Sequence, residues 1–160
     1  LTETKKNISV NSLNEENMSL NLAEWIKEIP IMYFPWGLQS AAIRFKNSMQ
    51  ENAKMHVMYE DIIETCHNGI VSWEQKSNVQ PILIRGKDDH IKTIERWKIV
   101  KEFFDKNGIN YKEIFSKNGS ILTKLICLIY GLDMTSIYHA IIHQINPSPV
   151  NSIDFIKSKL

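Results

Sequence analysis

The chain has 160 residues, of which 43% are hydrophobic and 23% charged, and its formal net charge is +1. This length suits one domain with one sizeable core, and this apolar fraction excludes a wholly disordered chain. A net charge near zero predicts no strongly basic face, which argues against nucleic acid as a partner. The chain begins with Leu1 and not with methionine, so we expect it to be a piece of a longer protein.

The cysteines and the closest pair of histidines do not predict a metal or cofactor site. Cys66 and Cys127 stand far apart and match no metal-ligand spacing, which indicates a reduced intracellular protein. His139 and His143 would share one helix face, but no third ligand is evident, so we expect them to serve helix packing. The longest apolar run, residues 125–132, is too short to span a membrane. We therefore expect a soluble, cytoplasmic protein without a cofactor.

The predicted elements alternate along the chain. Residues 1–20 are polar and lack apolar periodicity, which predicts a linker or a loosely ordered arm. Apolar residues at helical spacing then begin near Asn21 and stop at Pro30, which predicts a short helix. Strands are predicted at residues 31–34, 56–59, 81–85 and 111–115. Longer helices are predicted at residues 38–53, 90–107 and 121–145, with short ones near residues 62–66 and 151–159.

Strands that alternate with helices of ten or more residues are typical of βαβ units. Such units form a parallel sheet that helices cover on both faces. The sequence therefore predicts an α/β fold, a three-layer αβα sandwich with a mainly parallel sheet, in one domain over residues 21–160.

Three local sequences resemble one enzyme family. Residues 50–54 read Gln-Glu-Asn-Ala-Lys, similar to the Glu-Asn-Ala-Lys signature of archaeal and bacterial bifunctional phosphoglucose/phosphomannose isomerases. Residues 66–74, which contain His67-Asn68, resemble that family's His-Asn-Glu-Ile-x-Gly-Trp segment. Residues 146–157, which begin Asn-Pro-Ser-Pro-Val, resemble its closing Asp-Pro-Thr-Pro-Val…Ile-Asp-x-(Leu/Ile)-Lys sequence. The three occur in the family's order, between residue 31 and the end of the chain.

The resemblance implies a sugar-isomerase (SIS) domain of flavodoxin-like type, the second of two in the family's chain. The family's phosphate-binding serines and threonines belong mainly to the first, amino-terminal SIS domain, which has no counterpart in these residues. A further departure is Gly69, which stands where the family has a carboxylate. An amino-terminal SIS domain is therefore an expected partner of this chain.

The resemblance also implies an activity and a set of site residues. The expected reaction interconverts glucose 6-phosphate, and mannose 6-phosphate as well, with fructose 6-phosphate through an enediol, by shuttling one proton. Glu51 corresponds to the shuttle base and Lys157 to a lysine that assists ring opening. His67 corresponds to a ring-opening acid and base that reaches the site from a neighbouring subunit, which implies a homodimer with a shared active site. Arg44 and Ser148 are candidate substrate-binding residues.

The residues alone leave plainer alternatives open. Glu51 and Lys157 also fit solvated surface charges, and His67 fits a loop histidine at a helix end. Arg44 also fits a surface ion pair, and Ser148 lies between prolines that favour a rigid turn. A non-catalytic module that binds sugar phosphates or serves dimerisation is the alternative function.

Overall fold

A single parallel sheet organises the domain, and the computed structural model describes all 160 residues. Its strands lie in the order β2-β1-β3-β4 and all neighbours are parallel. The strands are β1 (Ile29–Phe34), β2 (Met58–Asp61), β3 (Val79–Arg85) and β4 (Lys112–Phe115). The helices are α1 (Thr2–Ile8), α2 (Met18–Trp25), α3 (Gln39–Asn52), α4 (Ile62–Thr65), α5 (Ile91–Lys106), α6 (Ile121–Ile142) and α7 (Asn151–Lys157), with a 3-10 helix at Gly69–Glu74.

The two central strands are buried on both faces, which is why they are continuous apolar runs. Successive side chains of a strand point to opposite faces, so β1 and β3 each supply two separate cores. Met32 and Ile82 pack with α2, α3 and α6, whereas Tyr33 and Leu83 pack with α5 on the other side. This arrangement confirms the predicted three-layer αβα sandwich.

Helix α6 is the central helix of one layer. By length and composition it could span a membrane, yet it packs lengthwise against α2 and α3 as a core helix of the domain. Ser19 of α2 donates a hydrogen bond to the carbonyl of Gly131 at 2.7 Å, where the absence of a side chain lets the helices approach. Buried His139 bonds through Nδ1 to the carbonyl of Ala23 at 3.1 Å, which is the helix-packing role expected for it.

The first twenty residues differ from the predicted loose arm. They form α1 and the start of α2, and Ile8 of α1 is only 3% exposed. Tyr138 of α6 donates a hydrogen bond to the carbonyl of Ile8 at 2.9 Å, and the Asn17 side chain caps α2 by accepting from the amide of Leu20 at 3.0 Å. The prediction missed this helix because α1 buries only two side chains, at positions 4 and 8, too few to produce a visible period.

The start of β2 and the end of α6 differ from the predicted boundaries for the same reason. Lys54 and Gln144 have positive φ angles, 54° and 56°, although neither is glycine. The left-handed residue at 54 follows the last turn of α3 and delays β2 to Met58, and the one at 144 follows the end of α6 at Ile142. Both turns lie at the amino-terminal edge of the sheet, where α3 and α6 end.

Candidate active site

An open cleft of about 580 Å³ lies where α3 and α6 both end. Helix α3 runs from the carboxyl end of β1 back to the amino end of β2, so its last turn lies at the amino-terminal edge of the sheet. Helix α6 likewise returns from β4 and brings the loop that follows it to the same edge. The lining residues are mostly polar: Asn47, Gln50, Glu51, Lys54, Asn146, Pro149, Val150, Asn151, Ser152 and Ile153.

Glu51 is the only acidic residue of the lining. It occupies the last turn of α3, is exposed, and its carboxylate makes no hydrogen bond or ion pair within the chain. Asn47 lies one turn before it on the same helix face, and the carboxamides of Asn47 and Gln50 line the same cleft. A carboxylate without a protein partner is available to exchange a proton with a bound molecule.

Lys54 joins the two walls of this cleft. Its ammonium donates to the carbonyl of Glu51 at 2.6 Å, on one wall, and to the carbonyls of Pro149 at 2.7 Å and Pro147 at 3.4 Å, on the other. An ammonium has three donors, so these three carbonyls occupy all of them. The only basic residue of the lining is therefore committed to the backbone, and the cleft has no free cation for a phosphate.

Ser148 and Lys157 lie on the carboxy-terminal segment next to the cleft without lining it. Ser148 is exposed, and its amide donates to Oδ1 of Asn146 at 3.0 Å, which fits the rigid turn between the prolines. Lys157 ends α7, a helix that buries none of its residues in this chain. Both side chains are close in sequence to lining residues but have no contact that fixes them toward Glu51.

His67 is not brought to Glu51 within one chain. It follows α4, which packs with α5, whereas Glu51 is on α3 across the sheet. The imidazole is exposed and absent from the cleft lining. A site that uses both groups must therefore take His67 from a second copy, as the family resemblance implies.

The space beside Gly69, where the family has a carboxylate, is already occupied. A Cβ at position 69 would collide with the carboxylate of Glu60, which accepts a hydrogen bond from the hydroxyl of Thr65 at 2.9 Å. This chain thus has a carboxylate beside position 69 that comes from Glu60 of β2.

Arg44 forms the surface ion pair that was one of its two predicted roles. Its Nε lies 3.0 Å from Oδ1 of Asp133 on α6, and its Nη2 lies 3.0 Å from Oδ2. Ser48, one turn further on, donates to the same carboxylate. Arg44 does not line the cleft, so this pair joins α3 to α6 beside the site.

The sequence predicted Glu51 as a site residue, and the structure places it in the cleft together with carboxamide side chains that were not predicted. Asn47 lies four residues before Glu51 in the predicted helix over residues 38–53, a spacing that places both on one helix face. Asn146 and Asn151 could not be found in this way, because they reach the cleft from a loop and a helix about a hundred residues away in sequence.

The fold of this chain is shared with sugar-phosphate enzymes of known structure. A glucose-6-phosphate isomerase-like protein from Thermus thermophilus superposes with a TM-score of 0.69 at 16% identity, over 91% of this chain and 48% of that protein. Tagatose-6-phosphate ketose/aldose isomerase from Escherichia coli gives 0.65 at 12% identity, over 91% and 43%. These similarities define the domain as an SIS-type fold.

Sequence comparison identifies the family. Residues 15–160 match the family described as the bacterial phospho-glucose isomerase C-terminal SIS domain, and the chain belongs to it. A bifunctional phosphoglucose/phosphomannose isomerase from Caldicellulosiruptor bescii is 31% identical over 153 residues, 91% of this chain and 45% of the relative. The protein of the same description from Aquifex aeolicus is 24% identical over the whole of this chain and 51% of its own length. The chain therefore spans about half the length of the curated relatives it matches.

Proposed function

We propose that this chain is the carboxy-terminal half-site of a phosphoglucose/phosphomannose isomerase that converts glucose 6-phosphate and mannose 6-phosphate to fructose 6-phosphate. The observation that carries the proposal is the unpartnered carboxylate of Glu51 in a carboxamide-lined cleft, within a chain of this family. Membership supports a sugar-phosphate isomerase, and the cleft supplies a base and uncharged hydrogen-bonding groups suited to sugar hydroxyls.

In the proposed mechanism, Glu51 removes the proton from C2 of the open-chain aldose and returns it to C1. The C2 hydroxyl proton moves to the C1 oxygen, so that the enediol collapses to the ketose and no electrons leave the sugar. Carboxamides such as Asn47 and Asn146 hold the hydroxyls and keep the reacting carbons beside the carboxylate. No metal or cofactor is needed for this proton transfer.

Two further groups complete the proposed site. His67 of a second copy protonates the ring oxygen when the sugar opens, because an imidazole can donate and accept protons near neutral pH. Lys157, on α7, stabilises the negative charge that develops on the enediol oxygens. The phosphate is held outside the cleft described here, by an amino-terminal SIS domain, because Lys54 is occupied.

The test is Glu51→Gln in the full-length protein that contains this chain. Turnover of fructose 6-phosphate in a coupled assay is expected to fall at least a hundredfold, while calorimetric affinity for it stays within about threefold, since the amide keeps the shape but cannot accept the proton. Glu24→Gln, an exposed glutamate outside the cleft, is the matched control and is expected to keep full activity. Undiminished turnover in Glu51→Gln would refute the proposed role.

A second function, sugar-phosphate binding without turnover, is favoured by one observation. The position where the family has a carboxylate is Gly69 in this chain. Calorimetry with fructose 6-phosphate and the coupled assay, both on the unmutated full-length protein, separate the two functions. Binding without any turnover would establish the binding module instead of the enzyme.

A further inference from the structure

Residues 147–160 are attached to the domain by very few interactions. This tail, defined as the Pro147–Pro149 turn, α7 and the last three residues, buries none of its side chains. Apart from bonds that it accepts from Lys54, its hydrogen bonds are local, within the tail or to Asn146 next to it. None of its charged side chains forms an ion pair with the domain. The tail nevertheless carries Ser148 and Lys157 and part of the cleft lining.

Lys54 supplies the only hydrogen bonds between the tail and residues 1–145. Its ammonium donates to the carbonyls of Pro149 at 2.7 Å and Pro147 at 3.4 Å. The third donor goes to the carbonyl of Glu51 at 2.6 Å, an acceptor left over at the end of α3. One side chain thus joins the residue that carries the proposed base to the segment that carries the proposed charge-stabilising lysine.

Lys54 has a backbone conformation that is usual for glycine, and its side chain nevertheless makes the bonds described above. Its φ of 54° lies in the left-handed region, in the position after a helix where glycine is usual. The amides of Ala53 and Met55, on either side of this turn, both donate to the carbonyl of Met49, at 3.0 Å and 3.3 Å. A glycine would adopt this conformation without strain, but it would have no ammonium to hold the tail.

We propose that Lys54 is a positioning residue of the active site, which fixes the tail so that the Asn151 wall of the cleft stays beside Glu51 and Lys157 stays next to the cleft. Lys54 does not bind the substrate phosphate, because backbone carbonyls occupy its three donors. The kinetic consequence rests on the proposed isomerase function, whereas the tethering of the tail does not.

Three variants separate tethering from simple helix capping. Lys54→Gly removes the ammonium and relieves the left-handed strain, Lys54→Met keeps most of the side-chain length without donors, and Lys54→Arg keeps donors that can reach several carbonyls. If Lys54 only ends α3, the glycine variant must match the unmutated protein in the order of the tail and in kcat. If Lys54 holds the tail, the glycine and methionine variants must both lose the order of the tail and kcat, and the arginine variant must keep part of both.

The structural readout is backbone ¹⁵N relaxation of the 160-residue chain. Order parameters of residues 147–157 are expected near 0.8 in the unmutated chain and below about 0.6 in the glycine and methionine variants, with residues 39–52 unchanged. Equal order parameters for the tail in all variants would overturn the proposal, whatever the enzyme assay gives.

The functional readout is steady-state kinetics of the full-length protein. The glycine and methionine variants are expected to lose at least tenfold in kcat with less than threefold change in KM, and the arginine variant to regain at least a third of kcat. Unchanged kcat in the glycine variant would overturn the positioning role. Absence of turnover in the unmutated protein would instead refute the proposed function and leave the relaxation test of the tether intact.

Discussion

The carboxylate of Asp133 joins two helices next to the cleft, and its removal gives a prediction that can be worked out from the structure. It receives a bidentate bond from Arg44 and a bond from the hydroxyl of Ser48. The arginine side chain is 55% exposed, so the ion pair contributes only about 0.5 kcal/mol. Ser48 is buried, and a buried hydroxyl that loses its acceptor costs about 1–2 kcal/mol.

We therefore expect Asp133→Ala to lower the free energy of unfolding by about 2 kcal/mol, equivalent to about 4–8 °C in Tm for a domain of this size. Arg44→Ala is the matched control, because it removes the ion pair but leaves Ser48 its acceptor, and it should cost only about 0.5 kcal/mol. Urea denaturation followed by tryptophan fluorescence measures both values. The reasoning is refuted if Asp133→Ala is within 0.5 kcal/mol of the unmutated chain, or if the two variants cost the same.

Three further predictions concern other parts of the core. Burial lowers the pKa of His139, so the folded chain binds fewer protons than the unfolded chain, and stability should fall as pH drops below histidine's ordinary pKa of about 6.5. The free energy of unfolding should fall less between pH 7.5 and pH 5.5 in His139→Asn, which keeps a donor for the carbonyl of Ala23, than in the unmutated chain. An equal fall in both proteins would contradict the assignment to His139. Phe104 is fully buried among other aromatic rings. Phe104→Ala should lower the free energy of unfolding, measured by urea denaturation, by about 3–5 kcal/mol. A decrease under 1 kcal/mol would be inconsistent with that burial. In thiol titration the exposed Cys66 should react in the folded chain, and the buried Cys127 should react only in urea. The reaction of Cys66 should be slow, because partial desolvation raises the pKa of its thiol. Two reactive thiols in the folded chain would count against the core packing.

The sequence predicted the layers because burial dictates composition. Strands such as β3 are buried on both faces, so they can only be short apolar runs, and a run of that kind between long helices implies a parallel sheet. The role of Glu51 was predicted from the family resemblance, because Glu51 lies within residues 50–54 that carry it, and this role stays a prediction until Glu51→Gln is measured. Helix α1 was not predicted, since a helix that buries only two side chains has no detectable period.

The contacts that hold the cleft walls and the helices beside them together were beyond sequence reasoning, because they form only after folding. Asp133 pairs with Arg44 across 89 positions, and Lys54 bonds to Pro149 across 95. No local rule connects such residues. A lysine at a glycine-type helix stop is a deviation that becomes interpretable only when its ammonium is seen to reach the tail.

The central claim is that Glu51 and His67, on opposite sides of the sheet in one chain, meet between two copies in a single isomerase site. Co-expression of Glu51→Gln and His67→Gln full-length proteins, each expected to lose its activity when expressed alone, tests it directly. Hybrid dimers would have one intact site, so the mixture should recover about a quarter of the unmutated activity, because half of randomly paired dimers are hybrids and each retains one site of two. No recovery in a mixture that demonstrably contains hybrid dimers would contradict the shared site.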